Sequence, residues 1–511
     1  LRNRALSAVI VLFLLAASLS LHLIGITRPW RGPLDSIGSW NSHNADFILT
    51  HGISATKLAF VSSAGSVGPG EIQLRHTHPS FIILWLALFR GVLGSGEWAS
   101  RAAAIVLSLI IIFFTYLIAR KIAGSRVSLF VLLIAVLVPM EAYWGRLPSE
   151  VLAASAMITG AVFFYLSYRL DYRRVFAVLF FIFHFLGCTA DWIAYLLPAA
   201  LFLFEIITRK RRLLIPSAAI GLNFIYFGLF ILQGYWADGD AFLPKLFASA
   251  TPWTNPTASE IALGLGKVIS RIGLYFTIPL CVGAIIWLFI FLKGSRREKT
   301  AGDSNEPYTF GVPMVFVLVL LMWTALFPSH VIVHEVVLHP LSPFFPLSFG
   351  LVLSRRPRWA SRTMLLALII ALVISQLGLV LARRYSQQNG YPIDYPLSRQ
   401  IESVTNYQDH VITHVALAPR YYQFYCDRDI QMGINDIGRF RSLISEGKYT
   451  RYVALDLDRF AAAAPDADLE EFTGQNQLKI DQSLLDYLNE HYPSERKSFS
   501  LIFDLTREAI E

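Results

Sequence analysis

Charge is what this chain has little of. Only 16% of its 511 residues are Asp, Glu, Lys or Arg, while 55% are hydrophobic; soluble domains carry about 25% charged residues. That deficit, with a mean hydropathy of +0.51, excludes an ordinary soluble globular protein and points to a membrane. Cysteine is nearly absent. Cys188, Cys281 and Cys426 lie far apart, the first two in apolar runs, so neither a disulfide framework nor a cysteine metal site can be built from them. There is no glycine-rich phosphate loop, no nucleophilic triad, no internal repeat and no low-complexity tract. The connections expected on the cytoplasmic side are too short to hold a nucleotide-binding domain. An enzyme of this kind is better served by a lipid-borne donor that enters sideways from the bilayer.

What is present is a series of apolar runs, each close to the roughly 20 residues a crossing helix needs. They fall at 5–24, 98–122, 126–143, 151–169, 175–190, 192–207, 213–233, 272–292, 309–328, 338–353 and 362–382. The first is too long for a typical signal segment and has no clear cleavage site, so it reads as a retained helix. The formal charge of +8 is no nucleic-acid signal, because the basic residues come in short clusters between apolar runs. Those clusters are Arg2 and Arg4, Arg120 to Arg126, Arg169 to Arg174, Arg209 to Arg212, Arg296 to Lys299, and Arg355 to Arg362. By the positive-inside rule they face the cytoplasm. The stretch 80–93 is apolar but short, and a crossing there would put every later basic cluster outside. It is therefore expected to lie along or dip into the outer leaflet without crossing. The expected architecture is a polytopic α-helical membrane protein of about eleven spans over 1–382. The N-terminus is expected on the inner side of the cytoplasmic membrane, and 25–97 forms an outer loop. After Ala382 the composition turns soluble, and strands at 411–417, 452–457 and 498–505 with helices at 437–446 and 482–492 predict a small extracytoplasmic α/β domain over 383–511.

Ionisable residues at membrane depth are costly and are functional candidates for that reason. The outer loop carries Asp35, Trp40, His43 and Asp46. Asp35 can serve as a general base toward a hydroxyl, or cap a short helix after Pro33. His76 and His78 precede Pro79 and the short apolar helix, whose N-terminal end with imidazole beside it can seat a phosphate. The next outer turn sets Arg146 between Glu141 and Glu150. Arginine suits phosphate or carboxylate, and Glu150 either assists catalysis or caps the helix it begins. Asp191 and Trp192 occupy a tight turn, where a buried carboxylate needs a partner or a raised pKa. His334 and Glu335 can contact a phosphate or sugar. His330 and His334, four apart, can meet on one helix face, but two ligands fall short of the three or four a zinc site requires. No cofactor is assigned, and a divalent metal is left open.

The order of these features resembles the GT-C superfamily of membrane glycosyltransferases, which holds protein O-mannosyltransferases and the bacterial aminoarabinose transferases of lipid A. The resemblance is carried over 1–382 by the acidic outer loop ending in Gly52, His78-Pro79, Gly94 to Arg101, Tyr116 to Gly124, Tyr143-Trp144-Gly145-Arg146 with Glu150, Asp191-Trp192 and the His334-Glu335 segment. It implies transfer of a sugar from a polyprenyl-phosphate carrier to a glycan, lipid or protein acceptor on the outer face, with inversion. It further implies Asp35 as the catalytic carboxylate, Glu150 as the second, and His78 as the basic residue near the carrier phosphate. One departure stands out. Family members often carry an Asp-Glu pair upstream of the glycine matching Gly52, and here that register falls on Ile37-Gly38, leaving Asp35 alone. A longer loop, a remodelled site and an inactive site all fit that departure. A transporter or flippase of lipid-linked glycans is the alternative class, though paired halves with broken helices are not evident. A catalytically dead scaffold is the third.

Overall fold

Apolar side chains without protein neighbours mark the outer faces of the long helices. In the helix α1 (Arg2–Leu23), Leu6, Val9, Leu12 and Phe13 are exposed while Val11 is buried. In Ile278–Arg297, Ile278, Val282, Ile285 and Phe289 are exposed along one stripe, and Leu280, Ala284, Trp287 and Phe291 are buried on the other. A helix apolar all round, with its backbone bonds satisfied internally, belongs in lipid. The chain is an integral membrane protein.

The computed structural model describes residues 2–30, 32–65, 72–208, 212–251, 254, 256–297, 306–354, 362–386, 391–392, 394–415, 423–445, 447–456, 467–468, 480–497 and 500–507. The chain forms two compact units. One comprises Leu1–Ile26, His76–Phe89 and Trp98–Gln387, the other Thr27–Arg75, Arg90–Glu97 and Gln388–Glu511.

After α1 the chain enters α2 (Gly32–Thr56) and, after a short hairpin, α3 (Phe81–Leu93), α4 (Glu97–Leu137), α5 (Pro139–Trp144), α6 (Glu150–Asp171) and α7 (Arg174–Cys188). A 3-10 turn, Trp192–Leu196, leads into α8 (Leu197–Ile207), then α9 (Leu214–Asp238), α10 (Phe242–Ala250), α11 (Ala258–Phe276), α12 (Ile278–Arg297), α13 (Glu306–Gly311), α14 (Met314–Leu326) and α15 (Pro328–Val333). A second 3-10 turn, Glu335–Leu341, precedes α16 (Phe344–Ser354) and α17 (Arg362–Ser386). Among the described residues, Ala5–Leu23, Glu97–Leu137, Glu150–Asp171, Leu214–Ala250 and Glu335–Ser354 are each long and apolar enough to cross a bilayer. Ser259–Phe276 and Ile278–Lys293, bent by 105°, make one more when taken together. The shorter apolar helices are Phe81–Leu93, Arg174–Cys188, Trp192–Ile207, Met314–Leu326 and Ile369–Leu381.

Several expected runs are not continuous. That at 309–328 is interrupted between Gly311 and Met314, and that at 338–353 between Leu341 and Phe344. Two more break at a residue that explains the break. That at 126–143 stops at Leu137, because Pro139 opens a new short helix and has no N–H to offer the preceding turn. That at 272–292 breaks at Thr277, which takes φ 66° ahead of Pro279. The division between 98–122 and 126–143 does appear, as a break inside α4 at Gly124 with φ 79°, a conformation that glycine adopts without steric cost. Of the basic clusters, Arg209 to Arg211, Lys299 and 355–361 lie outside the described residues.

The other unit contains α2, the hairpin β1 (Phe60–Val61) with β2 (Leu74–Arg75), and the C-terminal residues. There β3 (Tyr391–Pro392) precedes α18 (Asp394–Val404), β4 (His410–Thr413), β5 (Asp429–Gln431), α19 (Ile437–Ile444) and β6 (Arg451–Leu455). β7 (Ala467–Asp468), α20 (Gln482–His491), β8 (Ser494–Lys497) and β9 (Ser500–Asp504) complete it. The main sheet runs β5-β4-β6-β9-β8, parallel through β5, β4 and β6 and antiparallel at β9 and β8. Ile412, Ile434, Phe440, Tyr452, Leu484, Leu488 and Phe503 form its core. The expected strand and helix ends at Leu417, Glu446, Leu457 and Ser498 lie outside the described residues.

α2 bends at Gly52, φ 78°. It is tied to the end of α3 by Asp46, which accepts from Arg90 Nε at 2.6 Å and also from the Nη2 group. The fully buried Arg90 side chain donates as well to the carbonyls of Ser95 and Gly96. A fork so enclosed loses all these partners at once, and breaking a buried pair costs about 3 kcal/mol. Arg90→Ala should therefore lower the melting temperature of the detergent-solubilised protein markedly, and Asp46→Asn less. Equal melting in both variants and the parent would show that the pair adds nothing.

Candidate functional site

The proposed site residues divide between the two units. In the unit holding α2, Asp35 lies half-buried in the helix's first turn, where a negative charge complements the free N–H groups of the helix start. The Cβ that Gly38 lacks would meet the buried Trp30 ring at 2.7 Å, so only glycine lets that ring lie against the turn following Asp35. His43 bonds through Nε2 to the Ser63 carbonyl at 2.8 Å, tying the helix to the strand end that follows it. The pKa of Asp46 is raised by burial, against the lowering effect of Arg90.

In the first unit, Ser149 caps α6 by accepting from Leu152 N at 3.2 Å, which leaves Glu150 half-buried in the first turn. Asp191 caps the 3-10 turn by accepting from Ile193 N at 3.0 Å. Burial pushes the Asp191 carboxyl up to about 7, and the negative charge of Glu150 adds to the rise. The two carboxylates therefore sit within electrostatic reach of each other. Trp192 Nε1 donates to the Thr77 carbonyl at 3.1 Å, between His76 and His78. Gln233 donates to Ser80 Oγ at 2.9 Å, and Phe81 N to the Thr189 carbonyl at 2.9 Å. These bonds hold the 76–81 segment.

His76 stacks on Phe230 with ring centroids 4.5 Å apart and packs on Phe242. Burial lowers its pKa to about 4, so it is neutral and supports the segment by packing. His78 is half-buried and reaches His330 electrostatically, as does His334. The His330 and His334 rings are 4.8 Å apart. Burial holds the His330 pKa down to about 3. Because the Trp323 indole can only donate, its 3.2 Å contact makes His330 Nδ1 the acceptor and puts the proton on Nε2. Glu335 accepts from Arg271 Nε at 3.2 Å and from the Tyr275 hydroxyl. Arg271 also donates to the Ile332 carbonyl. Arg146 donates through Nη1 to the Ile24 carbonyl at 3.0 Å, fixing the end of α1 to the turn between α5 and α6.

Sequence reasoning missed Arg271 and Tyr275. Both lie near the start of an apolar run, and only the bend at Thr277 explains their position at a helix end. It also missed the depth of Glu141. That carboxylate is 1% exposed, accepts from Ser108 Oγ at 2.5 Å, and faces His339 Nδ1 at 3.7 Å. Its main-chain carbonyl takes a bond from His22 Nε2 at 2.9 Å. Tyr143 and Trp144 pack on Tyr275 with centroids 6.1 and 6.3 Å apart. The end of α5 is thus joined to the Arg271–Glu335 pair. Among the described residues no group of three or more His, Cys, Asp or Glu side chains is placed to hold a metal ion. The unit offers a guanidinium, a phenol and three imidazoles: donors suited to a phosphate.

Burial pushes the Glu141 carboxyl from its ordinary 4.5 up to about 7. A carboxyl with a raised folded pKa stabilises the fold below its unfolded value and loses that contribution as pH rises through the folded one. Melting of the parent relative to Glu141→Gln should therefore fall from pH 4.5 upward through about pH 7. His76 behaves oppositely: its lowered pKa makes the fold weaken as pH drops from 6.5 toward 4, a slope that His76→Phe should remove. A parent-to-variant difference in melting that is flat with pH would contradict either assignment.

No protein-family model matches the chain, and no curated protein does. Solved structures do. ArnT from Cupriavidus metallidurans, bound to undecaprenyl phosphate, aligns over 97% of this chain and 98% of its own at 13% identity, with a TM-score of 0.58. The oligosaccharyltransferase AglB of Archaeoglobus fulgidus, in complex with an inhibitory peptide and a dolichol-phosphate, aligns over 98% of this chain and 74% of its own at 10% identity, TM-score 0.56. A complex of the Archaeoglobus enzyme with Zn and sulfate aligns at 11% identity and TM-score 0.55, over 97% of this chain and 73% of its own. The chain shares its fold with these structures.

Proposed function

We propose that this protein is an inverting glycosyltransferase that moves a sugar from a polyprenyl-phosphate carrier to a hydroxyl-bearing acceptor on the outer face of the cytoplasmic membrane. The observation that carries the reading is the fold shared along nearly the whole chain with ArnT, solved with undecaprenyl phosphate bound. The donor set around Arg271, Tyr275, His78 and His334 adds to it. Asp35 acts as the base. It takes the proton of the acceptor hydroxyl as that oxygen attacks the anomeric carbon, and the bond to the phosphate oxygen breaks with its electron pair on the leaving polyprenyl phosphate. Glu150 assists as the second carboxylate, with Asp191 beside it able to hold a proton near neutral pH. Arg146, His78 and His334 bind the carrier phosphate, and Arg271 joins them. Glu335 orients Arg271, and Trp192 and His76 hold the His78 segment in place. A cation at the phosphate favours the charge that develops on the leaving group.

The N-terminus is assigned to the inside and residues 383–511 to the outside, with 80–93 not crossing. Reporter fusions at Arg297 and after Ala382 should report inside and outside respectively. The same side for both would overturn the threading. For the chemistry, the purified protein is reconstituted with labelled polyprenyl-phosphate sugars and an acceptor. Free polyprenyl phosphate should be released, and Asp35→Asn should slow its release by about 100-fold or more, the range a general base supplies. Arg271→Ala should weaken donor binding by about 10- to 100-fold, the value of a lost charge-assisted bond. Unchanged turnover in Asp35→Asn would remove that residue from the site.

A further inference from the structure

The helix that carries Asp35 is held by a segment almost 400 residues away in the chain. Trp30, 1% exposed, donates its main-chain N–H to the Tyr425 hydroxyl at 2.5 Å and meets Phe424 edge-on with centroids 6.4 Å apart. Its ring lies against Gly38, where a Cβ would fall 2.7 Å from it. Asp35 and Gly38 are three apart and so share a face of α2. Downstream of α2, Gly65 donates its N–H to Asp427 Oδ1 at 3.0 Å, and its carbonyl accepts from the Tyr407 hydroxyl at 3.1 Å. Gln423 donates to the Ser62 carbonyl at 2.6 Å. Gly65 has φ 75° and packs so closely that a Cβ would meet Asp429 N at 2.7 Å.

The holding segment is itself fixed. Arg428, 9% exposed, donates to the carbonyls of Cys426 and Thr405 at 3.0 and 3.1 Å. Tyr425 packs on Tyr395 of α18 with centroids 4.7 Å apart. Asp427 sits at φ 45°, a left-handed conformation that a side chain tolerates mainly when, like Asp or Asn, it can bond locally. Nothing in general base chemistry requires such a segment, yet the residue ahead of the Asp35 helix and the stretch that follows β1 are both tied to it.

We propose that Tyr425 and Asp427 are positioning residues for Asp35, acting through Trp30 at the start of α2 and through Gly65 beyond its end without touching substrate. This rests on the transferase reading for the chemistry, but not for the mechanical link. A base must be held to within a fraction of an ångström of the hydroxyl it serves, and a 1 Å displacement can cost about 100-fold. The three variants of Asp427 separate the effects. Asp427→Asn keeps both the acceptor for Gly65 N–H and the left-handed backbone. Asp427→Gly keeps the backbone and loses the acceptor. Tyr425→Phe removes the hydroxyl that accepts from Trp30 N–H and keeps the ring, and Asp427→Ala loses the carboxylate and strains the backbone.

The test uses the full chain in lipid nanodiscs. Hydrogen exchange of peptides covering 27–46 and 58–65 should speed up in Asp427→Gly, Asp427→Ala and Tyr425→Phe and stay as in the parent in Asp427→Asn. With a labelled polyprenyl-phosphate sugar, kcat should fall about 10-fold in the first three with KM for the donor unchanged, and Asp427→Asn should restore it. Exchange unaltered in Asp427→Gly and Tyr425→Phe would overturn the link. Faster exchange with unaltered kcat would show a structural tie and overturn the positioning role. If the parent releases no polyprenyl phosphate from any donor, the transferase reading fails by itself, and the link is then decided by exchange alone.

Discussion

A carboxylate removed from water must be matched by donors, and how completely it is matched decides what it can do. Glu205 in α8 is matched fully. Arg169 donates through Nε at 2.8 Å and Nη2 at 3.1 Å, and the Tyr165 hydroxyl at 2.7 Å. Such a group joins α6 to α8 and has little freedom for chemistry. Glu141 and Asp191 are matched by fewer donors, so burial raises their pKa toward neutrality, and a proton can enter or leave them at modest cost. Glu335 falls between. It is paired with Arg271 and Tyr275 but its side chain is 23% exposed. A phosphate arriving there would compete with Glu335 for the same guanidinium and phenol, which an enclosed pair like Arg169–Glu205 does not permit.

The second constraint is backbone continuity. In lipid a helix must satisfy its own hydrogen bonds, so it can break only where protein or polar groups take over. The first unit breaks at Gly124, at Val138–Pro139, at Thr277 and near Pro340. Near three of those points lie functional candidates: Glu141 and Arg146 after Pro139, Arg271 and Tyr275 before Thr277, His334 to His339 before Pro340. Helix ends supply unpaired donors and acceptors, and they also bring side chains from different spans to one level. The breaks are where the candidate chemistry gathers.

Much of this could be read from the residues in order. The apolar runs announce the helices, Gly124 divides two of them, and strands and helices follow one another in the last quarter of the chain. His78, Glu150, Asp191 and His334 stand out because polar groups are rare in such a sequence. What could not be read is which polar group is paired. Arg271 looks like the flank of an apolar run until the bend at Thr277 brings it to Glu335. His76 and His78 differ only in their surroundings: Phe230 and Phe242 enclose one, while the other stays half-open. Pairing of that sort depends on which helices become neighbours, and hydrophobic periodicity carries no information about neighbours.

The grouping of 27–75 with 388–511 is the largest feature hidden from the sequence, and physics makes it unsurprising. Closing a long loop costs only slightly more than closing a short one, so separation along the chain is a poor guide to what folds together. What the pairing needs is a rigid partner. Asp427 stands two residues before β5, whose register against β4 is set by His410 opposite Asp429 and Val411 opposite Ile430. Val411 and Ile412, adjacent and so on opposite faces of β4, are both buried, as is Ile430, and a slip of one residue would move each of them off its packing partners. It would also carry Asp427 about 3.3 Å along the strand, beyond bonding reach of Gly65. The position of α2 is therefore inherited from a sheet, and a sheet is the least compliant part that this unit possesses.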